Sequence, residues 1–154
     1  MNRKVNWICI LLLTSNVAHA DLYETSRIPI TVLSCSHAAK KLERHLDAEK
    51  LEALGEFLVH EIFDDYAKGI ISKYEMQRDT PALFYMLIEP YDRLPEGDID
   101  FLTEAVVESF SNGELTYEMA SRGKTGVGAF TAQRNKAEDI YGENQCQIIV
   151  DVLN

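Results

Sequence analysis

The chain has 154 residues, with 25 Asp+Glu against 15 Lys+Arg and a formal net charge of −10. Capture of DNA or RNA rests on Lys and Arg neutralising phosphates, so this acidity excludes nucleic acid as an expected partner. The length suits one ordinary hydrophobic core, and no internal repeat or low-complexity tract appears, so a single domain is expected.

The N-terminus places Arg3 and Lys4 before a short apolar run, Trp7 to Leu13, and then Ala18-His19-Ala20. A positive start, a brief apolar stretch and a small-x-small ending predict a cleavable export signal over 1–20. The run is too short to span a bilayer, which takes about 20 apolar residues. Cleavage after Ala20 makes Asp21 the first mature residue, not the cysteine that a bacterial lipid anchor uses. The expected product is one domain, 21–154, free of the membrane and either periplasmic or secreted. It keeps 13 Lys+Arg against 25 Asp+Glu, a net charge of −12. Cys9 leaves with the signal, and Cys35 and Cys146 remain. In an oxidising compartment a lone pair is expected to bridge.

From Pro29 to Leu46, Val32, Cys35, Ala39, Leu42 and Leu46 recur at steps of three and four, which predicts a helix. The stretch 21–28 has no clear period and reads as an extended lead-in. Asp47 looks like an N-cap, with Leu46 and Leu51 positioned to close a hydrophobic staple. Leu51, Leu54, Leu58, Ile62, Tyr66, Ile70 and Tyr74 then mark a helical stripe over 48–77. A straight helix of that length measures about 45 Å. A domain of this size is only about 36 Å across, so the helix is expected to overhang, bend or break, most naturally at Gly69.

Thr80-Pro81 reads as a cap followed by proline at the first helical position, opening a short helix over 82–88 that is apolar almost all round. Pro90 stops it, and 93–97 forms a turn. A helix from Asp98 buries Ile99, Leu102, Ala105, Val106 and Phe110 and ends at Asn112-Gly113. Two helical turns follow over 115–121, then a glycine-rich loop, 123–128. The last element, 130–153, reads as a helix with a kink at Gly142. Its tail, 147–153, is also a passable strand, but nothing else in the chain offers it a strand to pair with. These elements predict an all-α fold, a compact bundle of five or six helices whose first and last members are joined by Cys35–Cys146.

The motifs that invite chemistry mostly fail on spacing. Gly123-Lys124-Thr125 lacks the earlier glycine of a phosphate loop, since Glu118 stands there. Ser121 and Lys124 overlap Lys124-Thr125-Gly126, whereas penicillin-binding enzymes keep two such motifs on separate elements. His60 and Asp64 could share a metal at i, i+4, yet no third ligand converges, and a solvated helix face explains them as well. In calcium-loop register with Gly97 sixth, Leu94 and Thr103 stand where oxygen-rich ligands belong. No cofactor, metal or catalytic residue is expected, and no enzyme activity.

The leading expectation is a small acidic exported binding protein, an inhibitor or immunity-type protein that neutralises a more basic protein. Candidate contact residues are Asp92, Glu96, Asp98, Asp100, Glu104 and Glu108, together with Lys124 and Thr125 in the exposed loop. In outline the chain resembles the disulfide-bridged helical periplasmic proteins that include secretion-system immunity proteins; the likeness is one of architecture. A second expectation is an acid-activated holdase chaperone, because protonating every carboxylate and histidine carries the mature chain from −12 to +16. A third is a small hydrolase or metal binder whose site assembles only in three dimensions.

Overall fold

In the computed structural model, residues 22–111 and 122–154 are described; the predicted signal, the Asn112-Gly113 stop and the helix over 115–121 lie outside them. Seven α-helices and no strand occur among the described residues: α1 (Leu22–Lys41), α2 (His45–Ala67), α3 (Lys73–Asp79), α4 (Ala82–Ile88), α5 (Ile99–Ser111), α6 (Val127–Glu143) and α7 (Cys146–Leu153). A single 3₁₀ turn, Glu96–Asp98, leads into α5. The fold is all-α as expected, but with more helices than five or six, because two predicted elements each divide. None of the described helices is long and apolar enough to cross a membrane.

The first helix begins earlier than its period implies. Residues 22–28 are helical, and Pro29 lies inside α1 with its ring buried. An interior proline costs about 3 kcal/mol through the lost amide and the ring clash. Tertiary contact offsets it: Ser26, fully buried, donates its hydroxyl to the Asp79 carbonyl at 3.1 Å, fastening this first part of α1 to the end of α3. The helix also stops sooner. Glu43 adopts φ 61°, and the amides of Glu43 and Arg44 return to the carbonyls of Lys40 and Ala39. That pairing is a Schellman closure. It leaves Leu46 in the first turn of α2, 74% exposed, so the expected staple onto buried Leu51 does not form.

Of the three outcomes open to the long helix, it breaks, and does so at Gly69. Gly69 takes φ 75°, Gly69 N–H reaches the Tyr66 carbonyl, and Ile70 N–H reaches Asp65, the same closure again. Ile70 and Tyr74, assigned by periodicity to the buried stripe, are exposed beyond the break. Ser72 restarts the chain as α3 through a capping box with Glu75. Thr80 turns its hydroxyl back to Met76, so Pro81, not Thr80, holds the N-cap place of α4. That helix buries only Phe84 and Ile88 and leaves Met86 outside, so it lies on the surface instead of running through the core. The last predicted element divides at Gln145, left-handed with φ 52°, and not at Gly142; the tail is helix.

Two apolar clusters share α1 and α2. Leu33, Val59, Phe63, Met76, Phe84, Leu94, Leu102 and Val106 belong to the first, which gathers α3, α4 and α5. Val32, Cys35, Ala39, Leu51, Ala137, Tyr141, Cys146 and Val150 belong to the second, which gathers α6 and α7. Between residues 32 and 39 only Ser34 escapes full burial, so α1 is the central helix. His37 is buried with it. Cys35 and Cys146, 111 residues apart, meet at disulfide distance with Cα atoms 5.5 Å apart. They join the first described helix to the last.

Candidate functional site

Helices α2 and α5 each carry polar residues at four-residue intervals. On α2 these are Glu52, Glu56 and His60; on α5 they are Asp100, Glu104 and Glu108. A step of four in a helix returns to nearly the same face. Beside each row stands a second: Ala53 and Phe57 on α2, Thr103 and Val107 on α5. The inner faces of the two helices, Val59, Ile62 and Phe63 against Ile99, Leu102 and Val106, are buried in the first cluster. That packing holds the outer rows together as the two walls of a groove of about 620 Å³.

The groove is rich in acceptors and poor in cations. His60 Nε2 lies 3.4 Å from Asp100 Oδ1 and bridges the walls. Glu52 is engaged by Lys40 and lies 3.3 Å from the Ser36 hydroxyl. Glu56, Glu104 and Glu108 have no ion pair or hydrogen bond to any described residue. Phe57 is 57% exposed. Thr103 is 3% exposed, and its hydroxyl has no hydrogen-bond partner among the described residues. A buried unpaired hydroxyl costs about 1–3 kcal/mol. Chemically, the arrangement can hold a positively charged group that also offers apolar surface. Its one histidine faces a carboxylate and not a hydroxyl or thiol.

The acidic residues anticipated as one patch separate into different surroundings. Asp100, Glu104 and Glu108 line the groove. Asp92 lies 3.7 Å from Lys73, and Asp98 accepts a hydrogen bond from Tyr91, raising the phenol's pKa. Glu96 borders a smaller hollow of mixed charge with Asp64, Lys68 and Arg93. Lys124 and Thr125 are exposed in the turn before α6 and do not line the groove. His60 and Asp64 do not converge either: His60 turns to Asp100, and Asp64 pairs with Lys68. No three His, Cys, Asp or Glu side chains gather as metal ligands among the described residues.

Glu52, Glu56, Phe57, His60 and Thr103 were not anticipated as a binding surface. A signal did exist, in the matched repeats 52/56/60 and 100/104/108 on two predicted helices. Such repeats reveal a shared face only once the packing of the two helices is known.

Comparison with known proteins finds no family model that matches this chain, and no curated protein or solved structure that matches it.

Proposed function

We propose that this protein is an exported binding protein that captures a more basic protein in the α2–α5 groove, as an inhibitor or immunity-type protein does. The observation that carries the reading is the set of three carboxylates, Glu56, Glu104 and Glu108, that have no partner among the described residues and stand on facing walls beside an exposed phenylalanine. Leaving charges unpaired beside apolar surface gains nothing for the fold. It suits a guest that brings cations and buries the ring. The net charge adds long-range attraction, which speeds encounter with a basic partner. Cys35 and Cys146 at disulfide distance suit an oxidising compartment.

The test compares the protein with a Glu56→Gln/Glu104→Gln/Glu108→Gln variant, both immobilised and offered an extract of the source cells. A basic protein retained by the first, released by salt and lost on the variant is the expected result. The purified partner is then titrated against both by calorimetry. Equal affinity for the two forms refutes the groove as the binding surface.

A further inference from the structure

We infer that the α2–α5 groove is built to read an arginine side chain presented by the basic partner, in preference to a lysine. The inference rests on the binding role just proposed and specifies its chemistry. Three features line the groove: carboxylates on opposite walls (Glu56 against Glu104 and Glu108), the exposed ring of Phe57, and Thr103, whose buried hydroxyl has no partner among the described residues.

A lysine ammonium is a compact, strongly hydrated point charge; it satisfies a carboxylate but makes little use of a ring or a fixed acceptor on the floor. A guanidinium is planar and carries five N–H donors in a rigid fan. One edge pairs with a carboxylate through two parallel hydrogen bonds, the face stacks on an aromatic ring, and the remaining donors point elsewhere. Thr103 supplies an acceptor for one of them, and the carboxylate of the opposite wall supplies another. The groove is partly open to solvent, unlike a pocket that encloses a small molecule. The arginine is therefore one residue of a polypeptide that covers the rims.

The test uses two helical peptides of equal length and charge, one with arginines and the other with lysines at the same positions, titrated by fluorescence anisotropy. The arginine peptide is expected to bind about tenfold more tightly. Phe57→Leu and Thr103→Val are each expected to weaken the arginine peptide several-fold and leave the lysine peptide unchanged. A merely structural role for either residue would weaken both peptides alike. Circular dichroism melts establish that the variants fold.

Equal affinity of the two peptides for the wild-type groove, lost in Glu56→Gln/Glu104→Gln, overturns the arginine preference and leaves the binding role intact. Binding of both peptides unaffected by those substitutions, or no binding of either, overturns both. Free arginine competing as well as the peptide also overturns the inference, since the site would then serve a small molecule.

Discussion

Gly55 sits in the middle of α2, where an alanine would ordinarily favour the helix by about 1 kcal/mol. The structure reverses that expectation. A Cβ built on Gly55 lies 2.6 Å from Leu33 Cδ2 and 2.7 Å from Cγ, with the Leu33 amide nitrogen at 3.6 Å. Carbon atoms rest at about 3.5–4.0 Å, so the overlap approaches 1 Å and involves the branch carbon as well as a methyl. Leu33 is 2% exposed on the central helix and is packed within the first cluster, so it yields only by shifting against its neighbours. Overpacking of this kind costs about 1–3 kcal/mol, and two short contacts place Gly55→Ala in the upper half of that range. Subtracting the helix gain leaves a net loss of about 1–2 kcal/mol. For a domain of this size the melting temperature falls by about 3–6 °C. The decisive measurement is a double-mutant cycle followed by urea unfolding. In a Leu33→Ala background, which itself costs about 3 kcal/mol, the overlap is gone and Gly55→Ala should become stabilising by about 1 kcal/mol. If Gly55→Ala stabilises both backgrounds equally, the two helices do not approach as closely as argued.

The remaining predictions concern the crosslink, the caps and the groove floor. Replacing both Cys35 and Cys146 by alanine should cost about 2–4 kcal/mol, given the long loop they close, and hydrogen exchange should show α6 and α7 losing protection before α2. The Glu75 carboxyl is held below its ordinary value of 4.5 by the Ser72 hydroxyl and amide, so its contribution is complete at neutral pH. It is lost as pH falls from the unfolded-state value through the lowered folded one, and Glu75→Gln should flatten that part of the stability–pH curve. Asp65 is shifted the other way, raised by burial and then by Asp64, so stability declines as pH climbs from its unfolded to its folded value. Asp65→Asn, which also removes a negative charge from the last turn of α2, should raise the urea midpoint at pH 7 by about 0.5 kcal/mol equivalent. Thr103→Val should stabilise the free protein by about 1 kcal/mol by removing an unpaired hydroxyl; a loss of that size would mean the hydroxyl is bonded.

The helical class was legible because apolar steps of three and four recur from Val32 to Val152; length required the long helix to overhang, bend or break, and the glycine marked the place where it breaks. Boundaries set by long-range contacts were not legible. Nothing local announces that Ser26 will bond to Asp79, 53 residues away, and so keep 22–28 helical ahead of a buried proline. Glu43 and Gln145 close or divide helices in a conformation that glycine usually supplies, so neither residue type gives warning. For the site, half of one wall was legible as acidity at Asp100, Glu104 and Glu108. Of the other wall only His60 was considered, as part of a solvated face, because it stands on an ordinary polar face until α5 is packed beside it.

The two walls of the groove stand on a single buried cluster, so its width is set before any guest arrives. Under the proposed binding role, an incoming segment finds a mould that does not have to be ordered, and little of its binding energy is consumed in shaping the host. The carboxylates Glu56, Glu104 and Glu108 and the ring of Phe57 are outward-facing and separate from the buried residues that hold the two walls together. Exchanging one of these carboxylates alters stability by only a few tenths of a kcal/mol. Under the proposed binding role, recognition at this surface is therefore free to diverge by single substitutions while the scaffold beneath it stays the same.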